Sequence, residues 1–256
     1  MTATHPPVTL SEHDGVRYLH LGSVWVQGAM RIRNPQIVEL QYVQRMLASL
    51  LWLPTEAVGR GQALQLGLGA GAITRFTQHQ LGMATTVVEL NPWVIEVGRR
   101  WFHLQLDDPR LTVVQADAGQ WMREKAQPGS IQLMHVDLYD HEAAAPVLDD
   151  EAFYADCRRA LSVGGLMSVN LFGRHSSCEQ SMARIAQAFG AHQVWSIQPT
   201  REGNTAVIAA RDVEVPGREE LQARAEHLEQ RFGRLGLPAR KWLRMVRPFR
   251  LAEPGP

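Results

Sequence analysis

The chain has 256 residues, enough for a full-sized core, so one large domain with small appendages is expected. Lys+Arg and Asp+Glu balance at 26 each, which leaves no global charge to recruit nucleic acid or an anionic membrane. The longest apolar run, Met46 to Leu53, is too short to span a bilayer, and Met1 to Pro7 lacks the basic start and apolar stretch of a signal peptide.

Two isolated cysteines, Cys157 and Cys178, form no metal or redox motif, so the expectation is a soluble cytoplasmic protein. Residues 8–31 read as short strands, with Val16 to Leu21 and Val24 to Gln27 flanking a Gly22-Ser23 hairpin turn. From Pro35 to Leu53 the apolar residues Ile37, Leu40, Val43, Met46, Leu47 and Leu50 fall at helical spacing, which predicts one helix ended by Pro54. From Gln62 the pattern alternates. Apolar runs at 63–66, 85–90, 111–115, 131–136 and 166–171 predict strands, and 72–81, 93–102, 118–125 and 150–161 predict helices between them. Such an order implies an α/β domain with a mostly parallel sheet, helices on both faces and a ligand crevice at the strand C-termini. A helix at about 177–189 precedes strands at 192–197 and 205–210, which the Gly203-Asn204 connection pairs antiparallel. A charged helix over 218–232 follows, and then a basic tail in which Arg240, Lys241, Arg244, Arg247 and Arg250 read as a solvated face. The expected division is a β-hairpin region plus helix over 1–55, a nucleoside-binding domain over 56–212 and a helical extension with tail over 213–256.

Leu66-Gly67-Leu68-Gly69-Ala70-Gly71-Ala72, between a strand and a helix, carries the strongest chemical signal. Small residues there let the backbone turn tightly and approach a ligand beside unpaired N–H groups. Glu89 ends the next strand about 20 positions on, where a carboxylate can accept both ribose hydroxyls. Gly67, Gly69 and Ala72 also satisfy a dinucleotide fingerprint, but Asp117 and the paired final strands favour an adenosyl sulfonium ligand. Asp117, after the third strand, suits either an adenine amino contact or the N-cap of the next helix. Asp137 and Asp140, in Val136-Asp137-Leu138-Tyr139-Asp140 after the fourth strand, face the same crevice or simply form a turn. In the first case Asp137 serves as a general base and Asp140 holds a cationic substrate. Asn170 and Phe172 complete the pocket wall after the fifth strand, and His135 reads as a packed core histidine because no ligand spacing for a metal is present.

The order Gln27, Tyr42, GLGAGA (67–72), VVELNPWVIEVGRRWF (87–102), LDDPRLTVVQADAGQWM (106–122), HVDLYD (135–140) and FYADCRRALSVGGLMSVNLF (153–172) resembles the spermidine synthase, or polyamine aminopropyltransferase, family over about 15–211. The resemblance implies a small N-terminal β-rich domain ahead of a Rossmann-like, methyltransferase-type sheet whose last strand is antiparallel. It also implies a transferase of polyamine biosynthesis, moving an aminopropyl group from decarboxylated S-adenosylmethionine to a di- or polyamine and leaving methylthioadenosine. Carried over, it makes Asp137 the catalytic base, with Gly67, Gly69, Gly71, Glu89 and Asp117 on the nucleoside. Gln27, Tyr42, Tyr139 and Asp140 fall on the amine side. The co-substrate is decarboxylated S-adenosylmethionine or S-adenosylmethionine itself, with no metal. The expected partner is a small-molecule amine, without nucleic acid or membrane; a homodimer is one open alternative for the oligomeric state. Three positions depart from the family pattern: Ala70 stands where the loop carries an Asp, Asp137-Leu138-Tyr139-Asp140-His141 lacks the small hydroxyl residues and the Pro, and no acid follows Tyr42 closely. The alternatives are an S-adenosylmethionine-dependent methyltransferase, a nucleoside-binding member without efficient catalysis, and last a nicotinamide oxidoreductase.

Overall fold

A computed structural model of the chain describes residues 5–104, 109–138, 148–172 and 175–250. Two sheets form. The first is a three-stranded antiparallel sheet of β1 (Val8–His13), β2 (Val16–Leu21) and β3 (Gly28–Arg31). Asp14 and Gly15 join β1 to β2 with φ of 49° and 73°, the left-handed pair that a twisted two-residue hairpin requires. The turn expected at Gly22-Ser23 is instead the start of a longer connection, and the predicted strand at 24–27 is not formed. Val24, Trp25 and Val26 there are exposed, and pairing resumes only at Gly28, whose strand lies against β2.

The helix expected over 35–53 is shorter. Helix α1 covers Gln41–Met46 and passes into a tighter 3-10 stretch at Leu47–Trp52. Tertiary partners hold the preceding segment out of the helix: Val38 N donates to the Leu235 carbonyl at 2.8 Å, and Glu39 pairs with Arg31. Local periodicity yields to these contacts.

The second sheet has eight strands: β4 (Gln62–Leu66), β5 (Ala84–Glu89), β6 (Leu111–Gln115), β7 (Ile131–Val136), β8 (Leu161–Phe172), β9 (Val194–Ile197), β10 (Asn204–Ala210) and β11 (Val246–Pro248). Their order is β11-β9-β10-β8-β7-β4-β5-β6. Strands β6, β5, β4, β7 and β8 run parallel, and β10 runs antiparallel to β8 and to β9. The mostly parallel sheet with antiparallel closing strands is as expected; β11, which places part of the basic tail at the sheet edge, is not. Its pairing with β9 escapes a composition reading because Val246-Arg247-Pro248 is too short and too charged to signal a strand.

Helices α2 (Ala72–Arg75), α3 (Pro92–Trp101), α4 (Ala118–Glu124), α5 (Glu151–Ala160) and α6 (His175–Phe189) lie among the strands, and α7 (Arg218–Phe232) and α8 (Ala239–Trp242) follow them. Beyond α2 the predicted helix widens into a π-helical turn at Phe76–Gln80. Successive side chains of each inner strand alternate between two cores. Leu166, Ala206 and Ile208 join Trp52, Phe232 and Trp242, whereas Met167, Val207 and Ala209 join Tyr154, Cys157 and Ile185. His135 is fully buried, shares a 2.8 Å hydrogen bond with Ser168 Oγ, and is held neutral because burial lowers its pKa to about 4.

Candidate active site

Strand order reverses at β4, whose neighbours β5 and β7 are reached by crossovers in opposite directions, so a crevice opens past the C-terminal ends of these strands. The glycine loop leaves β4 there. Gly67 donates its N–H to the Val88 carbonyl at 2.9 Å and has φ of 84°. A Cβ on Gly67 would lie 2.2 Å from the Asp137 carbonyl oxygen, so no side chain fits. Gly69 also has positive φ, and Gly71 caps α2 in the left-handed conformation. Gln65, buried in β4, fixes the loop from behind: its amide donates to the Gly67 and Leu68 carbonyls at 2.7 and 3.3 Å and accepts from Thr74 Oγ1 at 2.5 Å. Sequence patterning misses Gln65 because a lone polar residue inside an apolar strand has no period to reveal its role.

Glu89 closes this side of the crevice. Its carboxylate accepts Leu68 N–H and Asn91 N–H, each at 2.8 Å, which ties the end of β5 to the glycine loop and to the start of α3. Burial raises its pKa, and those backbone bonds pull against that rise. Asp117 Oδ1 accepts from Gln120 N at 2.7 Å, so it caps α4 while it also lines the crevice. A cavity of about 120 Å³ results, with Gly67, Gly69, Glu89, Asp117 and Asp137 among its walls.

Asp137 stands just past β7. Its Oδ1 accepts from Asn170 Nδ2 at 2.9 Å, and its Oδ2 accepts from the Tyr42 hydroxyl at 3.1 Å. Burial raises the Asp137 pKa; the Asn170 and Tyr42 hydrogen bonds hold it lower than burial alone would. On its other side lies a second cavity, of about 470 Å³, lined by Trp25, Gln27, Glu39, Tyr42, Phe172 and Glu202 with Asp137 and Asn170. Trp25 meets Phe172 edge to face, with ring centroids 6.2 Å apart. Gln27 and Asp137 line both cavities, so an acid sits where the two meet.

Gly67, Gly69, Glu89, Asp117 and Asp137 thus surround one cavity, and Gln27, Tyr42 and Asp137 share the other. Gly71 stands behind the loop as a helix cap rather than on a cavity wall. Tyr139 and Asp140 lie outside the described residues. Glu39, Glu202, Asn204 and Trp25 join the site without a sequence signal. They come from separated segments, and no spacing in the sequence connects them. Ala70 is 3% exposed among Leu19, Met30 and Phe102, and a Cβ on Gly28 would lie 2.5 Å from its own Cβ; β3 covers the position. Among the described residues no group of three or more His, Cys, Asp or Glu is placed to hold a metal ion, and no helix is long and apolar enough to cross a membrane.

Comparison with known proteins adds to this geometry. Residues 46–210 match the spermine/spermidine synthase domain. The chain is 34% identical over 230 residues to the polyamine aminopropyltransferase of Chromobacterium violaceum, covering 89% of this chain and 85% of that protein. It is 30% identical over 230 residues, with the same coverage, to the polyamine aminopropyltransferase of Neisseria meningitidis. Among solved structures, a probable spermidine synthase from Corynebacterium glutamicum aligns with TM-score 0.71 at 22% identity, over 93% of this chain and 88% of that one. Human methyltransferase-like protein 13 in complex with SAH aligns with TM-score 0.68 at 20% identity, over 76% and 93%. At those identities the two structures share the fold.

Proposed function

The chain belongs to the spermine/spermidine synthase family, and from that premise we propose that it transfers an aminopropyl group from decarboxylated S-adenosylmethionine to a di- or polyamine. The observation that carries this reading is the placement of Asp137 on the shared wall of the two cavities, with one oxygen on Asn170 and the other on Tyr42. A bisubstrate transfer needs such a group at the meeting point. The nucleoside portion of the donor suits the Glu89 side, where the carboxylate accepts ribose hydroxyls, Asp117 faces the adenine end and the glycine loop admits close backbone approach. The acceptor amine suits the Gln27 and Tyr42 side.

A polyamine nitrogen has a pKa near that of lysine, about 10, so at neutral pH it must lose a proton before it attacks. Burial strengthens Asp137 as a base by disfavouring its charged form, while Tyr42 and Asn170 keep it ionisable. The freed amine attacks the carbon beside the sulfonium. A C–N bond forms, the C–S bond breaks with its electrons on sulfur, and methylthioadenosine leaves.

The test is product identity. With decarboxylated S-adenosylmethionine and putrescine, spermidine, cadaverine or agmatine, amine-dependent methylthioadenosine release is expected with at least one acceptor. Silence with all four, together with amine-dependent conversion of S-adenosylmethionine to S-adenosylhomocysteine, would overturn aminopropyl transfer in favour of methylation.

A further inference from the structure

Two consecutive acids precede α5, and they do different work. Asp150 caps the helix, its Oδ1 accepting from Phe153 N at 2.8 Å. Asp149 bonds elsewhere. Its Oδ1 accepts from the Tyr154 hydroxyl at 2.7 Å, and its Oδ2 accepts from Ser181 Oγ at 2.8 Å and from Arg184 Nη1 at 2.5 Å. Tyr154 belongs to α5, whereas Ser181 and Arg184 lie three residues apart on one face of α6. Tyr154 and Ser181 are buried, and the Asp149 side chain is 15% exposed, so water screens the charge pair only partly. Helix capping does not need these bonds; they tie one point of the chain to two helices at once.

That point adjoins the nucleoside-side cavity. Leu148, the residue before Asp149, lines it together with Leu90, Val94, Asp117 and Ala118. A Cβ on Gly119 would lie 3.3 Å from both methyl carbons of Leu148 and 3.3 Å from Asp117 Oδ1, so Leu148 and Asp117 share one end of the cavity. Leu148 belongs to the connection before α5 and to no helix or strand of its own. An apolar wall helps a flat base most when it is in place beforehand, because ordering a loose side chain on binding offsets the contact. The charge-assisted bonds of Asp149, one residue away, supply that order.

We propose that Asp149 is a positioning residue for the nucleoside: through Tyr154, Ser181 and Arg184 it holds Leu148 against the adenine. This rests on the reading that the cavity takes an adenosyl nucleoside, and not on aminopropyl transfer itself. The test is a double-mutant cycle on methylthioadenosine affinity, measured by calorimetry on the full chain, with thermal unfolding to show that each variant is folded. Leu148→Ala removes the wall and is expected to weaken binding by about tenfold. Asp149→Asn leaves at least one of its donors without an acceptor and should weaken binding by about fivefold. In the double variant the loss should stay within about twofold of Leu148→Ala alone, because Asp149 then has no wall left to place. Losses that multiply, to about fiftyfold, mark a merely structural Asp149 and would overturn the proposal, as would native affinity in Asp149→Asn. Should Asp149→Asn not fold, the exposed end of the pair carries the test. Arg184→Gln should weaken binding by about threefold, and Arg184→Lys, which keeps the cation, should restore it; equal affinity in these two variants would also overturn the proposal. Methylthioadenosine release from decarboxylated S-adenosylmethionine, run in parallel, separates the two ideas. Coupling of Asp149 to Leu148 without release sinks only the transfer reading, and release with multiplying losses sinks only the positioning role. No methylthioadenosine binding by the native protein would overturn both.

Discussion

The cavity on the nucleoside side draws most of its lining from one stretch of chain, Gly67 to Asp117, while the amine-side cavity gathers Gln27, Glu39, Tyr42, Asn170 and Glu202 from far apart. The first is made largely of backbone: two glycines at positive φ, Gly67 and Gly69, and a Glu89 carboxylate held by two N–H groups. The second is made of side chains that meet only because β8 and β10 are neighbours and α1 lies near them. A backbone-built site tolerates little. A side-chain-built site can change its preference one residue at a time, which fits a common donor and a variable acceptor.

Substitutions should divide along this line. The largest effect belongs to Gly67→Ala, since the new Cβ would meet the Asp137 carbonyl at a backbone conformation that alanine disfavours. Methylthioadenosine affinity, read by calorimetry, should fall by about a hundredfold or more, and thermal unfolding should show a loss of roughly 1–3 kcal/mol. Near-native binding would erase the contrast between the cavities. Glu89→Gln comes next, with about tenfold weaker methylthioadenosine binding and turnover at saturating donor little changed. If turnover fell while affinity held, Glu89 would belong to the chemistry instead.

Tyr42→Phe should act on the other side and more gently. Removing a hydrogen bond that lowers the Asp137 pKa moves the acidic limb of the rate profile to higher pH, with the maximum rate within about threefold and nucleoside affinity unchanged. An unmoved limb would separate Tyr42 from Asp137. The smallest effect is on stability. The folded Asp137 pKa is raised above its unfolded value, so its contribution is complete below the ordinary carboxylate range and is lost as pH rises through the folded pKa. Asp137→Asn should flatten that part of the stability–pH curve, as followed by denaturant unfolding; a steeper decline toward neutral pH would contradict the assigned direction.

The same division separates what the amino-acid order makes legible from what it hides. The strands from β4 to β8, the glycine loop and Glu89 are legible because buried parallel strands write continuous apolar runs and the loop writes glycines. Asp137 is legible from its place at a strand end. Glu39 and Glu202 are not, since an acid in a connection reads like any other solvated acid, and only the fold brings both to one cavity wall. The N-terminal turn is easily misplaced because Gly22-Ser23 has the composition of a hairpin, while Asp14-Gly15 has the two left-handed residues that one needs. The helix before Leu53 reads too long because the bond from Val38 to Leu235 joins segments far apart in the chain and leaves no local trace. Gln65 and β11 escape for the same reason: their partners decide their roles.

Asp137 is the pivot of these contrasts: it lines both cavities, and the proposed function makes it serve the reaction without being needed to hold the nucleoside. The most direct test measures turnover and methylthioadenosine affinity together in Asp137→Asn. The side chain keeps its shape but cannot accept a proton at neutral pH, so kcat should fall by about a hundredfold or more with affinity within about threefold of native. A kcat within about threefold of native, or a loss of methylthioadenosine affinity as large as the loss of rate, would contradict that role.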